Sequence, residues 1–242
     1  MNVMILVPSR LASTRFPNKP LADIGGKPMV MRVYEQAMKA GAGPVWVAAG
    51  DREIVEAVEA HGGKAVLTDP KLPSGSDRIW QAVQRLMEQG QPRPDIIINA
   101  QGDEPLLPPE LVTDCIKAFE THPNADVVTF AHKVSDEADI NNPTKVKVVV
   151  ALDGRALYFS RSPIPHGAAE MWRHVGFYGY TYQALERYVA QVPTPLQKQE
   201  DLEQLRGLEI GLTYYVLPTA HEPVGVDTPA DLERVLGMLS RG

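Results

Sequence analysis

The sequence predicts an α/β fold: a Rossmann-like, doubly wound, mostly parallel sheet with a smaller mixed β region in the second half. Three observations lead there. Short apolar runs alternate with amphipathic helical patterns through the first half of the chain. The rhythm changes near Pro143, after which strand patterns follow one another closely. A long cationic loop follows the first apolar run, where α/β sheets present loops to anionic ligands.

Val3–Val7, apolar throughout, reads as a buried strand, and the chain then breaks into a loop from Pro8 to about Pro20. A helix opens at Pro28, where proline suits a first turn, and carries Val30, Val33, Ala37 and Met38 on one face. Val45–Ala49 is a second strand, and the helix Arg52–Ala60 behind it is stopped by Gly62-Gly63. Strand Lys64–Leu67, helix Asp77–Met87, strand Ile96–Asn99 and helix Pro109–Thr121 follow, and Asp126–Ala131 completes the run. Such alternation implies a parallel sheet with helices on both faces and right-handed crossovers.

Beyond Pro143, Lys145–Leu152 alternates Lys and Val, Asp153-Gly154 signals a hairpin, and Ala156–Ser160 is the return strand. The Lys145/Lys147 stripe reads as the solvent face of a strand. Val175–Tyr182 is a further strand, and pairs without intervening helices suggest a small mixed sheet or flap. Thr213–Leu217 and helix Thr228–Leu239 restore the earlier pattern. The reading is one domain over 1–242, with a core over about 1–132, a subregion over about 143–212 and a return to the core over about 213–242.

At 242 residues, 44% apolar and 22% charged, the chain can bury a sizeable core. A net charge of −6 argues against a nucleic-acid partner, so an anionic ligand must be met by a local cluster of cations. The single cysteine, Cys115, excludes an internal disulfide and a multi-cysteine metal site. It shares a helical pattern with Leu111, Val112, Ile116 and Phe119 and reads as a core residue. The first apolar run is too short for a signal peptide, and no stretch approaches the roughly eighteen residues of a membrane span. The expectation is a cytoplasmic protein with no membrane partner.

Three constellations carry chemistry. The first loop holds Arg10, Arg15 and Lys19 without an acid, and lacks the glycine spacing of a P-loop. Side-chain charges as well as backbone amides would therefore hold a triphosphate there. The second is Gln101-Gly102-Asp103-Glu104-Pro105, directly after a buried strand, which brings Asp103 to the same sheet edge. A carboxylate facing a phosphate site needs a cation between them, and Mg²⁺ is commonly held by one or two carboxylates plus phosphates. The third is Gly225-Val226-Asp227-Thr228-Pro229. Asp227 or Thr228 can cap the helix that opens there, or Asp227 can be a second metal carboxylate; spacing alone does not choose.

In order along the chain, several motifs resemble the cytidylyltransferases that activate 3-deoxy-D-manno-octulosonate (Kdo). They are Pro8-x-Arg10-x-Ala12-Ser13-Thr14-Arg15-x-Pro17-x-Lys19-Pro20-Leu21 with Gly26-Lys27-Pro28-Met29, then Ser74-Gly75-Ser76-Asp77-Arg78, the Gln101–Pro105 turn, and Ala156-Leu157-Tyr158-Phe159-Ser160-Arg161. His174-Val175-Gly176-Phe177-Tyr178-Gly179-Tyr180, Leu202-Glu203-Gln204-Leu205-Arg206 and the Gly225–Pro229 segment complete the set. The resemblance covers essentially the whole length and implies a fold of the nucleotide-diphospho-sugar transferase type. It implies conversion of CTP and Kdo to CMP-Kdo and pyrophosphate, with Mg²⁺, for the lipopolysaccharide inner core, by a homodimer to whose contact the smaller mixed region contributes.

Carried over by position, the resemblance implies that Pro8, Arg10, Arg15, Lys19, Arg78 and Gln101 meet the nucleotide and that Asp103 and Asp227 hold the metal. Arg15, Lys19, Asp103 and Asp227 would be catalytic, and Arg161, His174, Glu203 and Gln204 would face the sugar acid. Read as residues alone, Arg161 after a strand and Glu203-Gln204 on a helical pattern are also ordinary as surface charges, and His174 as a structural histidine. The chain departs from the family where it has Ser9 for alanine, Asn18 for glycine, and Ala48-Ala49-Gly50-Asp51 for a strand ending in Ala-Thr-Asp. Asn tolerates left-handed backbone, so the turn at Asn18 can survive. A transferase for another sugar, or a nucleotide-binding module without catalysis, is the rival reading. The Ala156–Arg206 segments argue against the first and the complete set of carboxylates and loop lysine against the second.

Overall fold

The computed structural model describes residues 1–12, 16–222 and 224–240. The chain divides into two compact units, residues 1–114 with 223–242, and residues 115–222. The first contains β1 (Val3–Ser9), α1 (Met29–Lys39), β2 (Val45–Ala49), α2 (Arg52–Ala60), β3 (Ala65–Leu67), α3 (Gly75–Glu88), β4 (Ile96–Asn99) and the last helix (Pro229–Leu239). Helix α4 (Pro109–Thr121) spans the division.

Strands of the first unit pair in parallel in the order β3-β2-β1-β4. β1 is thus central, with Ile5 opposite Val45 on one side and Ile98 on the other. A strand covered on both faces reads as a continuous apolar run, and Ile5, Leu6, Val7, Ile97 and Ile98 are fully buried. Each such side chain contributes about 1.5–3 kcal/mol by leaving water. From β1 the chain winds through β2 and β3 to one side and then returns to place β4 on the other. The order reverses between β1 and β4, and in open α/β sheets ligands bind beyond the carboxyl ends of the strands at such a reversal.

Boundary differences have local causes. β1 runs to Ser9 rather than stopping before Pro8, because pairing with β4 ends at Leu6, opposite Asn99, while pairing with β2 continues to Ser9. Main-chain groups of the even residues face β4 (Leu6 O accepts from Ala100 N), so the N–H that proline lacks falls where no ladder bond is needed. α3 starts two residues before the expected Asp77, since Ser74 Oγ accepts from Asp77 N at 3.1 Å and donates to its carboxylate at 2.5 Å. Gly62 stops the region behind α2 with φ of 75°.

The second unit holds β5 (Val127–Val134), α5 (Glu137–Asn141), β6 (Lys147–Val150), β7 (Ala156–Ser160), β8 (Met171–Thr181), α6 (Tyr182–Val189), α7 (Pro195–Glu200), α8 (Glu203–Glu209) and β9 (Tyr214–Pro218). Its strands are mixed: β5 pairs antiparallel with β8 and parallel with β9, and β6 pairs antiparallel with both β7 and β8. The expected hairpin around Asp153-Gly154 is present, with Gly154 at φ of 88°. Three helices, α6 to α8, separate β8 from β9, where the sequence reading has only the helical pattern at Glu203-Gln204. They are six to eight residues long and leave little periodicity to count.

One expectation is overturned. Lys147 was assigned to a solvent face, yet it is fully buried. Strand β6 has partners on both edges, and the ammonium donates to Asn142 O at 3.0 Å and Arg161 O at 2.8 Å. Lys145 lies before the strand and pairs with Asp139. Alternation of Lys with Val shows that alternate residues differ, not which face is wet.

Candidate functional site

Beyond the carboxyl ends of β1 and β4, three distant segments meet on one ammonium. Lys19 opens a short 3₁₀ turn, Lys19–Leu21, preceded by Asn18 at φ 57° and ψ 21°. The left-handed conformation expected where the family has glycine is thus adopted by Asn18. Lys19 Nζ donates to Asp103 Oδ2 at 3.1 Å and to Asp227 Oδ1 at 3.2 Å. Gly102 brings Asp103 there: a Cβ on Gly102 would lie 2.5 Å from Pro8 O, so the turn after β4 can cross the end of β1 only without a side chain.

Asp227 arrives by a second route. Val226 N donates to Asp103 O at 2.9 Å, and the Val226 side chain is buried with Ile24, Met29 and Val235 in an apolar cluster flanked by Phe16, Leu106, Val224, Leu232 and Leu236. That cluster ties the segment before the last helix to the loop after β1. The cap question is answered by the same geometry. Thr228 is the N-cap: its Oγ1 accepts from Asp231 N, and the Asp231 carboxylate accepts from Thr228 N at 2.9 Å, a reciprocal capping box. Asp227 is therefore not the cap, and its carboxylate turns to Lys19.

The other nucleotide candidates lie in the same unit. Arg10 follows β1 and is exposed. Asp51, at the start of α2, holds the loop by accepting from Leu11 N at 2.7 Å, a role the sequence did not suggest although its place just before a helix marks it as polar for a reason. Arg78 is 2% exposed and donates through Nη1 to Thr68 Oγ1 at 2.6 Å and Asp69 O at 3.1 Å. A Cβ on Gly50 would lie 2.6 Å from that Nη1, so the glycine at this departure from the family pattern leaves space that the guanidinium fills. Burial, followed by the nearby Arg10 charge, lowers the Arg78 pKa. Ser9 Oγ, Asn99 Oδ1 and Arg78 Nη2 are buried with no hydrogen-bond partner among the described residues. Buried polar atoms are normally paired, so these three are capacity left for a ligand. Pro8 is in β1, Gln101 in the turn after β4, and Arg15 lies outside the described residues.

Among the four sugar-acid candidates, all in the second unit, His174 and Gln204 are linked through Tyr178. His174 Nε2 lies 2.8 Å from Thr129 Oγ1, its ring is 5.4 Å from that of Tyr178, and Tyr178 OH donates to Gln204 Oε1 at 3.4 Å. Glu203 is the neighbour of Gln204 in the first turn of α8. A bulge in the β5–β8 pairing, between Thr129 and Phe130, brings Thr129 and His174 together. Burial pulls the His174 pKa down to about 3, so the ring is neutral at physiological pH. Arg161, at the end of β7, instead donates to main-chain carbonyls: Glu200 O through Nε at 2.8 Å, Pro143 O through Nη1 at 3.1 Å and Asp201 O through Nη2 at 2.9 Å. Tyr178, Thr129 and Glu200 were missed; of these only Tyr178 stood within a quoted motif.

A cationic loop, two converging carboxylates and unpaired buried polar atoms at the reversal point of a parallel sheet define a nucleotidyltransferase-type α/β site. The family model described as Cytidylyltransferase matches residues 4–215. The 3-deoxy-manno-octulosonate cytidylyltransferase of Parvibaculum lavamentivorans is 47% identical over 242 residues, covering 98% of this chain and 93% of that protein. That of Paramagnetospirillum magneticum is 45% identical, covering 98% and 97%. A solved structure of CMP:2-keto-3-deoxy-manno-octonic acid synthetase complexed with CTP superposes with a TM-score of 0.93 at 38% identity, covering 100% of this chain and 99% of that one. The chain belongs to the 3-deoxy-manno-octulosonate cytidylyltransferase family.

Two outcomes follow from this geometry. Thr228→Ala should lower stability by about 1 kcal/mol in denaturant melts through loss of the cap. Asp227→Asn, which leaves the capping box whole, should cost clearly less. The second concerns acid. His174 has a folded pKa below its unfolded value, so its contribution is complete above pH 6.5 and is lost as pH falls toward about 3. Across that window the parent should lose up to about 1.4 kcal/mol per pH unit from this group. Urea melts of His174→Gln should show a correspondingly shallower acid limb.

Proposed function

We propose that the chain transfers the cytidylyl group of CTP to Kdo, giving CMP-Kdo and pyrophosphate for the lipopolysaccharide inner core. The observation that carries this reading is the meeting of Lys19, Asp103 and Asp227 at the sheet reversal, in a chain alike in sequence over its whole length to Kdo cytidylyltransferases. In the reaction the anomeric hydroxyl oxygen of Kdo forms a bond to the α-phosphorus as the bond to the β-phosphate oxygen breaks, pyrophosphate leaves, and the hydroxyl proton passes to solvent.

Each residue has a role suited to its surroundings. Arg10, Arg15 and Lys19 supply positive charge to the triphosphate, and Lys19 does so for the leaving pyrophosphate, where positioning and electrostatics account for most of the catalysis. Arg78, with Ser9 and Asn99, offers the nucleotide hydrogen-bonding groups that otherwise stay unpaired; Pro8 and Gln101 flank them. Arg161, His174, Glu203 and Gln204 meet the sugar acid, whose carboxylate and hydroxyls suit a guanidinium, an imidazole and an amide.

Mg²⁺ is the proposed cofactor, held by Asp103 and Asp227. The fit rests on two facts: both carboxylates already share one cation, the Lys19 ammonium, and their oxygens are the hard donors that Mg²⁺ prefers. No group of three such ligands exists among the described residues, which suits an ion that completes its shell with substrate phosphates and water. When bound, the ion neutralises phosphate charge and orients the substrates.

We further propose a cytoplasmic homodimer. No helix among the described residues is long and apolar enough to cross a membrane. In the second unit the β6–β7 hairpin leaves Leu152 exposed at a groove lined by Val150, Trp172 and Pro218, an apolar face suited to a second copy. A monomer in sedimentation equilibrium at micromolar concentration would overturn the dimer.

Pyrophosphate release with CTP and a panel of Kdo, its 8-amino analogue, N-acetylneuraminate and hexose 1-phosphates tests the function. Kdo should be turned over fastest and hexose 1-phosphates not at all, because polar groups built for a carboxylate would be left unpaired. Preference for N-acetylneuraminate sinks the reading; preference for the amino analogue narrows it. In the same variant set, Asp103→Asn and Asp227→Asn should each cut turnover by several orders of magnitude. Lys19→Gln should lower turnover yet tighten Mn²⁺ binding to the nucleotide-free protein by about tenfold, since it removes a competing cation between two carboxylates. Calorimetric titration showing unchanged Mn²⁺ affinity would mean that Lys19 and the metal do not compete.

A further inference from the structure

Lys147 is a fully buried ammonium with no assigned role and no carboxylate in ion-pair contact among the described residues. Burying a charge costs several kcal/mol unless polar groups replace water. Here two carbonyl oxygens do so, and burial, followed by the Arg161 charge, lowers the Lys147 pKa. A methionine would fill the same space without a buried charge but would leave both carbonyl oxygens without this donor, so what the lysine adds is its hold on two main-chain segments.

Its bonds converge on one residue. Lys147 holds Arg161 by the carbonyl oxygen at 2.8 Å, and Glu200 Oε2 holds it by the amide N–H at 2.9 Å, while Glu200 Oε1 accepts from Ser160 Oγ at 2.7 Å. The second Lys147 bond, to Asn142 O, fixes the turn whose next residue, Pro143, accepts from Arg161 Nη1. Both main-chain groups of Arg161 are thereby pinned, and its guanidinium is braced at Nε, Nη1 and Nη2. Three of the five N–H donors of the arginine are used in these hydrogen bonds; Nη2 also lies 3.6 Å from the carboxylate of the exposed Asp201, and the planar group keeps 36% side-chain exposure. A braced, partly open guanidinium is pre-organised to receive a carboxylate.

We propose that Lys147, together with Glu200, is a positioning residue that presents Arg161 to the carboxylate of the sugar acid. This rests on the reading of Arg161 as a sugar-acid ligand. Lys147 does not touch substrate; it acts through the main chain of Arg161 and through the 142–143 turn.

A double-mutant cycle tests it. KM for Kdo, KM for CTP, kcat and Tm are measured for the full-length parent, Lys147→Met, Arg161→Ala and the double variant. Lys147→Met should raise KM for Kdo about tenfold with KM for CTP changed less than twofold, and in the Arg161→Ala background the same substitution should change KM for Kdo less than twofold. Equal effects in both backgrounds, or a parallel rise in KM for CTP, would overturn the proposal in favour of a merely structural lysine. If Lys147→Met does not fold, Glu200→Gln, which removes one of two anionic acceptors, goes through the same cycle with the same two outcomes. The cycle is read on whichever keto-sugar acid the parent turns over fastest. Loss of the Kdo assignment is then seen in the parent alone, and loss of the positioning role only in the cycle.

Discussion

The first unit is organised around one ammonium shared by two carboxylates. Lys19, Asp103 and Asp227 are separated by 84 and 208 positions in sequence, so their meeting requires the parallel sheet, the glycine crossing at Gly102 and the apolar cluster around Val226 all to form. Two carboxylates brought close repel each other, and a cation between them relieves that repulsion. Half-exposed ion pairs contribute little to stability on their own. The value of this one is geometric: it holds two carboxylates from distant parts of the chain at a shared position beside the loop that carries Lys19.

Lys19, Arg78 and Lys147 are accommodated in different ways. Lys19 is neutralised by carboxylates and stays partly exposed. Arg78 and Lys147 are buried and rest chiefly on a hydroxyl or on carbonyl oxygens. In both, burial is the main cause that lowers the pKa, and nearby carboxylates, Asp51 and Asp69 for Arg78 and Glu200 for Lys147, act against it. His174 follows the opposite course: burial removes its charge altogether, leaving a neutral ring whose hydrogen bond to Thr129 sets its orientation.

Much of the fold was legible because its signals are local. Val45–Ala49, Arg52–Ala60, Ile96–Asn99 and Pro109–Thr121 have the bounds that apolar periodicity and flanking glycine or proline indicate. Helices α5 to α7 were not legible as elements, and of α8 only the pattern at Glu203-Gln204 was, because runs of five to eight residues leave little periodicity to count. Burial of Lys147 was invisible for a related reason: an alternating strand shows two unlike faces, and only the covering neighbours decide which is dry.

For the site, the sequence by itself determined the chemical inventory. It showed a cationic loop, a carboxylate after a buried strand, another beside a helix start, and an asparagine able to take left-handed backbone at residue 18. Tertiary structure alone decided who meets whom. Thr228 rather than Asp227 became the cap, because Asp231 closes a box with it and the Asp227 carboxylate is drawn to Lys19. Lys147 received its partners, and Arg78 and Arg161 some of theirs, from main-chain carbonyls that carry no residue identity. Residue type sets which bonds a side chain can make; long-range packing sets which acceptors come within reach, and no local pattern encodes that.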